Sequence, residues 1–147
     1  MRGTAPAALE FTGALLAITA KSPYALRALA ELARTGGEGP VPLGEIARRR
    51  EVPVQFLEGL FATLRRGGIL HSQRGVKGGY SFARPPREIT VLEVVEMLEG
   101  DLGGEARAAG SVWAEATEAL RGVLGAITIA EVAEREAEAA TAPMYYI

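Results

Sequence analysis

Two groups of residues could do chemistry on a partner, and both lie between Pro53 and Phe82. The first is RGVKGG, Arg74 to Gly79, in which Arg74 and Lys77 are interleaved with Gly75, Gly78 and Gly79. Glycine leaves main-chain N–H groups open to phosphate oxygens, so such a loop can lie along a sugar-phosphate backbone. The second is a stripe of Gln55, Glu58, Gly59 and Ala62. A glutamine can pair bidentately with adenine and a glutamate can accept from cytosine N4, while glycine contributes only close approach.

The elements needed to hold these groups follow from the spacing. Leu57, Leu60, Phe61 and Leu64 fall at i, i+3, i+4 and i+7, with Phe56 beside them, which predicts a helix with the polar stripe on its opposite side. Gly67 and Gly68 end that helix, and Arg65 and Arg66 stand where its carbonyl end favours cations. Ile69 to Ser72 and Tyr80 to Ala83 have strand propensity around the basic loop, which is too long for a tight hairpin turn. Upstream, SPYALRALAELART predicts a helix with Ser22 as N-cap and Pro23 at its first position, closed by GGEGP at 36–40. Leu43, Ile46 and Ala47 give a short second helix, which turns at Glu51 to Pro53 into the third. Its arginines 48, 49 and 50 complement the helix dipole or reach phosphate. Two short helices and a two-stranded wing make a winged helix-turn-helix.

Downstream, Thr90 and Glu93 have capping-box spacing before Val91, Val94, Val95 and Leu98. DLGGEARAAGS reads as a connector. A helix follows from Val112 to Leu124, with Val112, Trp113, Ala116, Leu120, Val123 and Leu124 near one side. Thr128 and Glu131 open a short last helix, and the chain finishes Met144-Tyr145-Tyr146-Ile147, an apolar end unlike an ordinary disordered tail.

Composition narrows the function. With 147 residues and 48% hydrophobic content, one globular unit with an appended helical arm is expected. The absence of cysteine excludes disulfides and thiolate-held metals, and the lone His71 leaves little for zinc or for histidine acid/base work. No nucleophile, base and orienting group recur together, so an enzyme is not expected. The net charge of -2 hides a strong asymmetry: residues 18–87 hold 12 Lys or Arg against 5 acids, and residues 88–147 hold 3 against 12. The basic half is the footprint of a nucleic-acid binder. No run is long and apolar enough for a membrane span. Residues 1–20 faintly resemble a signal peptide, but Glu10 and Thr12 interrupt the apolar run, and a cytoplasmic protein is expected.

ITAKSPYALRAL, the stretch from LGEIARRREVP through RGVKGGY to VLEVVEMLEG, and the later Trp113 and ITIAEV together resemble the Rrf2 family of bacterial transcription regulators. The resemblance runs from about Leu16 to Ala133 and is most specific at RGxxGGY. It implies a mainly α fold with a small β-wing: an extension at 1–17 that is disordered or stems from a mis-assigned start, a winged-helix domain at 18–87, a dimerisation region at 88–138 built on a long helix, and a tail at 139–147. It implies DNA contacts at Lys21 and Tyr24, at Val54, Gln55, Glu58 and Gly59, and at Ser72, Arg74, Gly75, Lys77, Gly78, Gly79 and Tyr80. Tyr24 serves equally well as a core residue. Gly59 stands where the family commonly has a larger polar residue, which puts base preference at that step in doubt. A dimer interface is implied at Trp113, Ala116, Leu120, Val123 and Leu124.

The family's cluster-binding members carry three cysteines in the connector, and 100–110 has none. The resemblance is therefore to the cysteine-free branch that represses cysteine metabolism, which also ends in an aromatic pair and isoleucine. That branch works with the PLP enzyme O-acetylserine sulfhydrylase, and Tyr145, Tyr146 and Ile147 are suited to its active site, a carboxylate on Ile147 taking the place of the substrate's. The expectation is a homodimeric repressor with no cofactor of its own. The alternatives are a cluster-free regulator of another pathway that senses a small molecule, and a winged-helix interaction module that does not bind DNA.

Overall fold

A computed structural model of the chain describes residues 15–35 and 39–141. The elements are α1 (Lys21–Thr35), α2 (Leu43–Arg50), α3 (Val54–Arg66), β1 (Leu70–Gln73), β2 (Gly79–Phe82), α4 (Val91–Glu99), α5 (Gly104–Ala108), α6 (Ser111–Ala126) and α7 (Ile129–Thr141), with a 3-10 turn at Pro86–Glu88. The fold is mainly helical with a two-stranded antiparallel wing, as the sequence implies.

Helix α1 is the hub, packing against α2, α3, α4 and α7. Its alanines at 25, 28 and 30 are fully buried beside Leu29 and Leu32, because small side chains let several helices approach one axis. The main core adds Ile46, Leu57, Phe61, Leu64, Ile69 and Leu70, and draws Ile89, Val94 and Ile129 in from beyond the wing. Each such side chain contributes about 1.5–3 kcal/mol on burial. A second cluster of Val91, Val95 and Leu102, with Leu92, Leu120, Leu124, Ile127 and Val132 against it, seats α6 on α4.

Thr90 forms the expected capping box with Glu93. Thr128 likewise accepts the Glu131 N–H at 3.1 Å. The two caps are joined by a bridge, with Val91 N–H donating to Ile127 O at 2.8 Å and Ile129 N–H to Ile89 O at 2.9 Å. The starts of α4 and α7 are thereby fixed side by side.

Four local expectations need correction. Helix α1 begins at Lys21, so Ser22 lies inside it, and its hydroxyl donates to Glu99 on α4 at 2.9 Å; Thr19 instead accepts the Lys21 N–H at 3.2 Å. The strands pair Leu70 with Phe82 and Gln73 with Gly79, so β1 starts one residue later than the propensity suggests and β2 one residue earlier. The connector contains a helical turn, α5, whose Ala106 is buried. The last helix is not short: α7 runs 13 residues because Ile129 and Ala133 are buried.

Candidate nucleic-acid interface

The turn between α2 and α3 is set by Glu51, which adopts φ +56, and by buried Val52, whose N–H donates to Ala47 O at 3.0 Å. A left-handed residue after a helix is a common way to end it and turn the chain. Helix α3 then buries Leu57, Leu60, Phe61 and Leu64 and leaves Val54, Gln55, Glu58 and Gly59 exposed. Its polar stripe therefore faces outward, as the spacing predicts.

Tyr24 and Tyr80 serve as struts as well as candidate contacts. The Tyr24 ring meets Phe56 edge-on at 5.5 Å and carries the Arg27 guanidinium 5.4 Å above it, which fixes α1 against α3. The Tyr80 ring meets Phe61 edge-on at 5.1 Å, which fixes the wing to α3. Lys21, Gln55 and Gly59 are brought round one depression, together with Phe56, Leu60, Thr63 and Leu98.

In the wing, Ser72, Arg74, Gly75 and Lys77 are exposed, with Val76 at the tip fully so. The glycines have reasons internal to the fold. Gly75 holds φ +107, and a Cβ on Gly78 would stand 2.1 Å from Gln73 O. Gly79, at φ +149, lets Val41 lie against β2: its Cβ would stand 2.3 Å from Val41 O. Val41 and Tyr80 there exchange N–H···O bonds of 2.9 and 2.8 Å, a one-residue third strand. The Gly78 N–H donates to Gly75 O at 3.0 Å, so that amide is spent inside the loop. The exposed cations of the wing are Arg74 and Lys77, neither of which makes an ion pair among the described residues.

The arginine run at 48–50 divides. Arg50 donates to Glu31 at 2.8 Å and to Glu136 of α7 at 2.6 Å, and Arg49 donates to Glu31 at 3.2 Å and to Glu45. Burial pushes the Glu31 carboxyl up, but the hydrogen bonds from Arg50 and Arg49 outweigh it and hold the group below the usual carboxylate range. The hydrogen bond to Glu136 holds Arg50 above its ordinary value against the opposing effect of burial. These two cations brace α1, α2 and α7, and Arg48 is left exposed. The Glu31 brace was not legible in sequence, because a glutamate among helix-forming residues reads as a solvated face. Arg84 similarly pairs with Glu93 at 2.6 Å, which lowers the Glu93 carboxyl further than its burial raises it.

On α6, Leu120 and Leu124 are half-buried against the chain's own second cluster. Trp113 is 45% exposed, Val123 57% and Val112 68%, with Ala116 half-buried beside them. Tyr145, Tyr146 and Ile147 lie outside the described residues. Among the described residues no group of three or more His, Cys, Asp or Glu is placed to hold a metal ion, and no helix is long and apolar enough to cross a membrane.

Comparison with known proteins bears on these features together. Residues 18–135 match the profile of a family described as Rrf2, iron-dependent transcriptional regulator. The HTH-type transcriptional regulator IscR of Xenorhabdus nematophila is 32% identical, over 81% of this chain and 80% of that protein. Among solved structures, T. potens IscR superposes with a TM-score of 0.73 at 38% identity, covering 89% of this chain and 95% of that one. CymR, the global cysteine regulator of B. subtilis, superposes with a TM-score of 0.72 at 33% identity, covering 82% and 98%.

Proposed function

Because the chain belongs to the Rrf2 family of transcriptional regulators and is no enzyme, we propose that it is a homodimeric repressor of cysteine-biosynthesis or sulfur-assimilation genes. The observation that carries the DNA-binding half is the pairing of an outward, small and polar α3 stripe with a wing whose Arg74 and Lys77 have no ion-pair partner among the described residues. Gln55 and Glu58 read base edges in the major groove. Lys21, Arg74 and Lys77 hold phosphates, and Tyr24 and Tyr80 keep α1 and the wing in register with α3. Val54, Gly59, Ser72, Gly75, Gly78 and Gly79 supply close approach and loop shape. The exposed Val112, Trp113 and Val123, with Ala116, support a second copy meeting α6, and two-fold symmetry then gives a partly palindromic operator.

Iron in the family description does not fit this chain through a thiolate-held cluster. There is no cysteine, and Asp101 of the connector is engaged by Arg107 at 2.9 Å and by Arg121 at 3.8 Å. The signal must come from elsewhere, and the Tyr145-Tyr146-Ile147 segment, with the likeness to a cysteine regulator, supports O-acetylserine sulfhydrylase as the partner. Titrating that enzyme with the protein while following PLP fluorescence tests this. A saturable change, abolished by deleting Ile147 and competed away by O-acetylserine, is expected. No change with either protein removes the partner. The second reading, a regulator of another pathway with a small-molecule signal, is favoured by the cavity of about 350 Å³ lined by Leu15, Ala17 and residues 99–105.

A further inference from the structure

Gly59 lies in the middle of α3 on its exposed side, and a Cβ built there meets no atom within 4 Å apart from its chain neighbours and the backbone of its own helix. The fold therefore does not require glycine at this position, and alanine would serve the helix better. Gly59 lines a depression with Lys21, Gln55, Phe56, Leu60, Thr63 and Leu98. Leu60 is buried and Phe56, Thr63 and Leu98 are half-buried, so the inside is largely apolar; Lys21, Gln55 and Gly59 are exposed and form the rim.

We propose that this depression receives the 5-methyl group of a thymine, so that Gly59 sets a thymine preference in each half-site of the operator. The inference rests on α3 being the recognition helix. The thymine methyl is the one apolar group that DNA bases present in the major groove, and it matches an apolar hollow on an otherwise polar face. The rim suits its neighbours: Gln55 can hold an adjacent adenine edge by two hydrogen bonds, and Lys21 can pair with a phosphate. A side chain at position 59 would put carbon where the methyl must enter.

The test begins with duplexes selected from a random library by the full chain. Each is resynthesised with deoxyuridine for one thymine at a time, which removes the methyl and leaves every hydrogen-bonding edge. One thymine per half-site is expected to lose about fourfold in affinity on replacement, the worth of one buried methyl. In Gly59→Ala, which should fold at least as stably, the same replacement is expected to be neutral. Neutral replacements throughout the wild-type operator overturn the proposal, as does an equal loss in Gly59→Ala. Selection of no duplex at all refutes the recognition-helix reading itself, and this proposal with it.

Discussion

Neutralising a wing cation should change how binding responds to salt, and the arginines of the helix-turn-helix provide the control. Arg74 and Lys77 are exposed and make no ion pair among the described residues, whereas Arg49 is held by Glu31 and Glu45. Each phosphate neutralised on duplex DNA adds about 0.9 to the slope of log affinity against log salt. In a dimer, one contact from each wing makes Arg74→Ala flatten that slope by about 1.8, so the variant loses about twelvefold less affinity than wild type between roughly 50 and 200 mM salt. Lys77→Ala should do the same. The assay is fluorescence anisotropy on a labelled selected duplex, repeated across salt concentrations with each variant. Arg49→Gln should leave the slope within error of wild type, since its charge is already engaged inside the protein. Unchanged slopes for both wing variants would refute phosphate contact by the wing, and a drop with Arg49→Gln as large as theirs would refute the division of cations drawn from the ion pairs.

Three further outcomes are expected. Gly79→Ala should destabilise the protein by about 2–3 kcal/mol in urea unfolding, because its Cβ would stand 2.3 Å from Val41 O at φ +149 and the Val41 to Tyr80 pairing must open; a loss below about 0.5 kcal/mol would show that the pairing is dispensable. Glu31 and Glu93 titrate below their ordinary range when folded. Their stabilisation is therefore complete above the unfolded value of about 4.3 and is lost as pH falls through the depressed folded values, so the urea midpoint should hold from neutrality to about pH 5 and fall below about pH 4. With Arg50→Gln, Glu31 keeps only its less buried partners, and that fall should begin at higher pH; superimposable profiles would count against the brace.

Much of the candidate site is legible in the order of residues along the chain. Leu57, Leu60, Phe61 and Leu64 place Gln55, Glu58 and Gly59 outward because helical period alone decides which residues share a side. Thr90 and Glu93 mark the start of α4 because a capping box is a local hydrogen-bond pattern. The wing is legible in kind but not in register: β2 begins at Gly79 rather than Tyr80, since that start depends on Gln73 pairing with Gly79 across the loop, which the strand propensity of either run does not fix.

By itself, then, the sequence determined what depends on near neighbours along the chain: the helices, their buried stripes, the basic loop, and a composition without thiolates. Tertiary structure alone decided what depends on distant partners. It assigned Arg49 and Arg50 to the buried Glu31 and to Glu136 rather than to solvent, because a buried carboxylate is tolerated only where cations meet it. It showed that Gly78 and Gly79 answer to Gln73 and Val41 before any phosphate, and that Gly59 answers to nothing within the fold. It also turned Leu120 and Leu124 inward and left Val112, Trp113 and Val123 exposed, a division of one apolar side of α6 that only the position of α4 could make.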